Sequence, residues 1–238
     1  MTSAARQIHA AHKGLCTGKG VVNLAQNSPP RSSSTLAIGA VILGAGSSKR
    51  LGRPKQLLQL GNKPVFQYAV DCAIRTQLHP VVLVAGSHLK AMSQHVGADK
   101  VQLVYNPDFQ TGMASSLKIG VQELRGQTDG VMVFLADQPL VPDSVVHDLV
   151  HTYTTHKADG CRIVRPIYGK TPGNPVLFDK ELFPQLLQLT GDTGAREFIK
   201  THQNRLWQVP YETEHWGLDI DTEEDWAAVQ EVYASQSD

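Results

Sequence analysis

The stretch running from Val41 through Leu43-Gly44-Ala45-Gly46-Ser47-Ser48-Lys49-Arg50 to Gly52-Arg53-Pro54-Lys55 concentrates the chemistry of this sequence. An apolar run, Ile38 to Leu43, empties into glycines and small hydroxyl residues, and four cations follow between positions 49 and 55. Glycine lets backbone N–H groups close on an anion, and clustered cations neutralise the charge those amides hold. Phosphate is the anion such a loop suits, so Leu43, Gly44, Ala45, Gly46 and Ser47 are expected to bind a nucleotide.

Spacing excludes two other phosphate loops. A Walker loop ends in Gly-Lys-Ser/Thr, but Gly52 is followed by Arg53, and Gly169-Lys170-Thr171 has Val164 where its first glycine belongs. A dinucleotide fingerprint would need a third glycine where Lys49 stands. It also wants an acid about 20 residues on, and none occurs before Asp71.

Carboxylates supply the second half of the chemistry. Asp137 ends the buried-strand pattern Val131 to Ala136, which sets its carboxylate where Mg²⁺ could take it together with phosphate oxygens. Alone, an Asp turning the chain before Gln138-Pro139 reads equally well. Asp219 and Asp221 flank Ile220 and project to opposite sides if extended, so one of them is expected to face a metal. Asn106 follows another strand. Gly112 and Ser115 open a helix, where amides and hydroxyls receive anionic or ribose groups, or where Ser115 acts as an ordinary cap.

These residues need a frame. Strand-like runs are Ile38 to Leu43, Val81 to Ala85, Val101 to Val104 and Val131 to Leu135, with helical patterns at Pro64 to Arg75, Ser115 to Leu124 and Asp143 to His156. Apolar strands alternating with amphipathic helices imply an α/β fold, a three-layer, doubly wound, mostly parallel sheet. Ligands gather beyond the carboxyl ends of such strands, where the glycine loop, Asn106 and Asp137 all lie. Val176 to Phe178 and Leu206 to Val209 read as added strands. Thr222 caps a last helix running to about Tyr233.

With 238 residues and 41% hydrophobic content the chain can bury one full core. Residues 1–35 are polar, Ser-rich and Pro-broken, so they read as a flexible tail before a domain at 36–238. Three scattered cysteines match neither a zinc pattern nor a disulfide framework, which suits the cytoplasm. No apolar run spans a bilayer, so no membrane partner is expected. Net charge is zero, yet the first 70 residues hold nine Lys/Arg and no acid. Four of the nine belong to the glycine loop and no basic–aromatic stripe follows, so phosphate chemistry is expected and nucleic acid is not.

The loop resembles the signature of nucleotidyltransferases that activate phosphorylated acceptors, the MobA-like molybdenum-cofactor group. The likeness continues in order through Asn106 to Ser116, Phe134 to Pro139, Pro172 to Phe178, Gly191 to Arg196 and Leu218 to Asp225. It implies a Rossmann-like fold of the nucleotide-diphospho-sugar transferase type. It is most like the cytidylyltransferases, which implies Mg²⁺-dependent transfer of CMP from CTP to molybdopterin. A transient contact with the molybdenum hydroxylase or dehydrogenase that receives the cofactor is implied too. On this resemblance Arg50 and Lys55 stabilise the triphosphate and pyrophosphate, Asp137 and Asp219 hold Mg²⁺, and Asn174, Asp192 and Arg196 face the acceptor. Many relatives carry His in the slot of Asn174, which bears on the acceptor and not on the chemistry. Guanylyl relatives read Gly-Gly where this chain reads Ala45-Gly46, and the Ala45 methyl narrows the space beside a base. GTP, a sugar-phosphate acceptor and a cofactor-delivery role without catalysis stay open as alternatives. Lys55 and Asp137 argue against the last.

Overall fold

The structure is a computed structural model and describes residues 36–46, 48, 50–97, 99–192 and 195–236. The expected tail at 1–35 and the loop residue Ser47 lie outside the described residues. Along the chain run β1 (Ile38–Gly44), the small hairpin β2 (Gln59–Leu60) and β3 (Lys63–Pro64), α1 (Val65–Arg75), β4 (Val81–Ala85), α2 (Leu89–Met92) and β5 (Gln102–Tyr105). There follow α3 (Met113–Leu124), β6 (Gly130–Leu135), α4 (Asp143–His156), β7 (Ile163–Tyr168), β8 (Thr171–Pro172) and β9 (Val176–Asp179). Last come α5 (Phe183–Leu186), α6 (Arg196–Thr201), β10 (Leu206–Tyr211) and α7 (Glu223–Ser235).

The main sheet has the order β10-β7-β9-β6-β1-β4-β5, with β8 paired to β7. β1 pairs in parallel with β4 on one side and β6 on the other. The chain thus winds outward to β5 and returns across β1, which opens a crevice at the carboxyl ends of β1 and β6. Alternation in β1 sends Ala40 and Ile42 to one face, against α1 and α4, and Val41 to the other, against α3, α5 and α6. Both faces are covered, so the sheet is the middle of three layers. Among the described residues no helix is long and apolar enough to cross a membrane.

The sheet is mostly parallel, as expected, with three features that the sequence reading did not anticipate. β9 runs antiparallel to both β6 and β7, so the sheet is mixed. β7 was not anticipated, because Arg165 and Pro166 interrupt its apolar pattern; Pro166 lies beyond Ile163 and Val164, the residues that β9 pairs with, so no β9 carbonyl there needs the N–H it lacks. The segment 218–220 belongs to no element, so the alternation argument for Asp219 and Asp221 does not apply there. The last helix starts where expected, with a capping box in which the Thr222 hydroxyl accepts Asp225 N–H and the Asp225 carboxylate accepts Thr222 N–H.

A small residue sets how closely α3 approaches the sheet. A Cβ on Gly120 would come within 2.3 Å of Val41 Cγ1. Gly120→Ala therefore overpacks the layer that carries the glycine loop. The expected loss is about 1–3 kcal/mol, larger than the ~1 kcal/mol that Ala gains over Gly in helix propensity. Urea unfolding checks it: a variant as stable as the wild type would show that α3 does not rest on β1 at this point.

Candidate active site

A cavity of about 470 Å³ lies at the carboxyl ends of β1 and β6. Leu43, Ala45, Gly46, Lys55, Gln56, Phe109, Gln110, Gly112, Met113, Ser116, Asp137 and Asp192 line it, with Leu135 and Ala136. Among the described residues no histidine does so.

The glycine loop is held by its own side chains. Gln56, 2% exposed, donates from Nε2 to the Gly46 carbonyl at 2.9 Å, and its Oε1 accepts the Ser48 hydroxyl at 3.3 Å. Ser48 Oγ in turn accepts Lys55 N–H at 3.1 Å. The sequence reading passed over Gln56; its position directly after Lys55, ahead of two leucines, is the signal that could have found it. The loop thereby presents Lys55 to the carboxylates. Lys55 Nζ pairs with Asp137 Oδ2 and with Asp221 Oδ1, the latter at 2.7 Å. Side-chain exposures of 12% for Lys55 and 15% for Asp137 take this pair out of the weak, solvated class. Arg50, well exposed on the rim, pairs with the other oxygen of Asp221.

Asp221 reaches the site because the chain before it is pinned to the end of β6. Gln138 Nε2 donates to the Gly217 carbonyl at 3.1 Å, and Ile220 N–H donates to the Asp137 carbonyl at 3.2 Å. Ile220 itself is buried with Leu51, Leu58, Leu60 and Trp226. The acids then separate electrostatically. Burial alone would raise the Asp221 carboxyl, but Lys55 and Arg50 outweigh it and hold it below the usual carboxylate range. Partial burial, then the Asp137 and Asp221 carboxylates, push Asp219 up. Burial works against the Lys55 ammonium, yet Asp137 and Asp221 raise it. Lys55 is therefore a cation throughout the neutral range, and its stabilisation is lost only as pH rises above 10.5.

The other candidate residues distribute unevenly. Gly44 ends β1 beside Ala85 and does not line the cavity. Asn106, expected to touch nucleotide, is wholly buried: its Nδ2 donates to Ser115 Oγ at 2.8 Å and Ser116 Oγ at 2.9 Å, and its Oδ1 accepts Asp108 N–H. Its hydrogen-bonding capacity is spent on shaping the start of α3, so it positions and does not present. Ser115 likewise turns its hydroxyl to the carbonyls of Asp108 and Gly112, and Ser116 is the serine on the cavity wall. Gly112, at φ +117°, has room only for hydrogen: a Cβ would meet Gly191 O at 2.5 Å. Through that contact Asp192 is brought to the cavity. Asn174 lies off the cavity, its carbonyl accepting the Tyr168 hydroxyl at 2.8 Å. Arg196 is the exposed first residue of α6, and among the described residues no ion pair ties it to Asp192.

The Lys55 ammonium stands where a dication would neutralise the same acids. Lys55→Ala should cost about 1–3 kcal/mol at neutral pH, since it leaves partly buried carboxylate oxygens without their donor. Millimolar Mg²⁺ without nucleotide should raise the melting temperature of this variant by more than that of the wild type. An equal response in both proteins would put the cation elsewhere.

Comparison with known proteins supplies the family. The chain is 28% identical over 197 residues to "Nicotine blue oxidoreductase" of Paenarthrobacter nicotinovorans, covering 79% of this chain and 93% of that one. It is 28% identical over 200 residues to "Purine catabolism protein PucB" of Bacillus subtilis, covering 80% and 94%. The crystal structure of Rv0371c from Mycobacterium tuberculosis superimposes with a TM-score of 0.70 at 25% identity, over 83% of this chain and 100% of that one. Residues 40–206 match the MobA-like NTP transferase domain, from the first strand of the sheet to the start of the last. A glycine loop and a lysine–carboxylate cluster at the crevice of that sheet thus belong to a nucleotidyltransferase, and this chain is a member of the MobA-like NTP transferase family.

Proposed function

We propose that this protein transfers CMP from CTP to the terminal phosphate of molybdopterin, releasing pyrophosphate and forming the cytosine dinucleotide of the cofactor. The observation that carries the reading is the Lys55 ammonium, shared by Asp137 and Asp221 in the cavity that the glycine loop lines. In the reaction an acceptor phosphate oxygen attacks the α-phosphorus of CTP. The new P–O bond forms as the bond to the bridging oxygen of the β-phosphate breaks, and pyrophosphate leaves with that electron pair. The attacking group is already anionic near neutrality, so positioning and charge neutralisation carry the rate and no strong base is needed.

Each residue has a task in this scheme. The backbone of Ala45 and Gly46 cradles phosphate. Lys55, released from its carboxylates, and Arg50, swinging in from the rim, meet the charge that grows on the departing pyrophosphate. Asp137 and Asp219 are the carboxylates assigned to Mg²⁺, and Asp221 keeps the two cations in place. Burial first, and then the Asp137 and Asp221 carboxylates, push Asp219 up, and a hard dication beside two of these acids would relieve that repulsion. Among the described residues no three such ligands form a metal cage, so the ion would take one or two carboxylates and complete its shell from phosphate oxygens and water. When bound, Mg²⁺ supplies charge neutralisation at the phosphates.

CTP is favoured by the narrowness of the space beside the loop. Ala45 is 6% exposed, and Gly86 at the end of β4 is so enclosed that a Cβ would meet Phe109 Cγ at 2.8 Å and the Ala45 carbonyl at 3.1 Å. A purine needs more room than a pyrimidine beside the Ala45 methyl, though a methyl-sized contact is worth only about 1–3 kcal/mol. The reaction is assigned to the cytoplasm, which the free buried thiols of Cys72 and Cys161 suit.

Pyrophosphate release by the purified protein, with molybdopterin and each NTP, tests the reading. CTP should exceed GTP in kcat/KM by about tenfold. Asp137→Asn should lower turnover by at least about a hundredfold, part of which excess Mg²⁺ or Mn²⁺ restores. Lys55→Ala should lose turnover without rescue by metal. Equal kcat/KM for CTP and GTP would remove the base assignment, and a near-normal Asp137→Asn enzyme at limiting Mg²⁺ would remove the metal assignment.

A further inference from the structure

The arginines of this protein divide by what faces them. Arg50, Arg53, Arg75, Arg162 and Arg205 each meet a carboxylate. Arg162, just ahead of β7, is held by Glu181 and lies 3.9 Å from Asp179. Arg165, three residues further and inside β7, has no acidic partner among the described residues. Among the described residues its guanidinium makes one hydrogen bond, from Nη2 to the Gly173 carbonyl at 3.1 Å, and its buried Nε has no acceptor.

A buried, always-charged donor without an acceptor is costly unless something else satisfies it. Strand alternation puts Arg165 on the same face as Ile163, and Ile163 packs with Phe198 and Ile199 of α6. Arg196 opens that same helix and also lacks a carboxylate among the described residues. β7 and α6 therefore pack on one face of the sheet, each carrying one of these arginines. Burial lowers the Arg165 pKa to about 10, and the charge of Arg196 adds to the effect, so the two are electrostatic neighbours. Like charges repel, and among the described residues no carboxylate pairs with either arginine. An anion does. Asp192, four residues ahead of Arg196, is on the cavity wall, and Gly173, which Arg165 holds, precedes Asn174. The pair therefore lies on the acceptor side of the proposed reaction.

We infer that Arg165 and Arg196 form a two-guanidinium site for a phosphate monoester on the acceptor, with Arg165 the recognition residue. Planar guanidinium groups match phosphate oxygens by paired hydrogen bonds, which a lysine does not reproduce. The inference rests on the nucleotidyl-transfer reading for the identity of the molecule that carries the phosphate. The site itself can be tested without turnover.

Inorganic phosphate is the probe, applied to the full chain in a Lys55→Ala background so that the glycine loop contributes little. Phosphate should raise the melting temperature of Lys55→Ala by several degrees, and of Lys55→Ala/Arg165→Gln by less than one-third as much. Acetate at equal ionic strength should give no such rise. In phosphate-free buffer Arg165→Gln should be at least as stable as the wild type, because repulsion from Arg196 is removed. A clear loss of stability there would mean that Arg165 merely braces Gly173, and would overturn the site. An equal response to phosphate with and without Arg165, or to acetate and phosphate alike, would overturn it as well. In the complete reaction, Arg165→Gln and Arg165→Lys should raise the acceptor KM about tenfold and leave the CTP KM within about twofold. A matched rise in both constants would contradict the assignment. Absence of any transfer by the wild type, with the phosphate response intact, would sink the reaction but keep the site.

Discussion

One ammonium group joins three remote parts of this chain. Lys55 brings the glycine loop, Asp137 the carboxyl end of β6, and Asp221 the segment before the last helix. Withdrawing such charges from water costs several kcal/mol, so the cluster is weak evidence for stability in itself. What it sets is register. The loop can reach its carboxylates only if β1 and β6 are neighbours and only if residues 217–221 are stitched to Asp137 and Gln138. The lopsided charge of the sequence finds its explanation here, since cations from the early loop are matched to acids from the later two-thirds.

The frame was legible because it obeys simple periodicities. Near-continuous apolar runs gave β1, β4 and β6, and α4 appears with the bounds its amphipathic pattern implied. Capping chemistry is local, so Thr222 could be assigned from its immediate neighbours. What escaped notice depends on partners far along the chain. A strand that holds Arg and Pro, such as β7, is recognisable only once β9 and β10 flank it. The direction of β9 depends on where β8 turns, and no local pattern records that.

The site divides the same way. Glycines and cations at fixed spacing announce a phosphate loop, and an acid at a strand end announces itself. The sequence does not tell which polar residues are consumed internally. Asn106 and Ser115 look as available as Ser116, yet the first two spend their groups on one another and on nearby backbone. Gln56 looks like a spacer and is the brace of the loop. The reason is physical: whether a short polar side chain presents or supports is decided by which atoms bury it.

The last helix has a consequence for where this protein can be divided. The family match ends at residue 206, before Asp219, Asp221 and α7. Yet Trp226 and Val229 of α7 pack against Leu51 from the glycine-loop segment and Leu58, Leu60 and Val65 beyond it. The Asp225 carboxylate also accepts the N–H of Asp221 at 3.0 Å, fixing the backbone from which that acid reaches Lys55. A boundary drawn by similarity therefore cuts through a physical unit. Trimmed there, the chain would keep most of its sheet but lose a counterion of Lys55 and the apolar seat of the glycine loop, so the physical unit runs past the last matched residue.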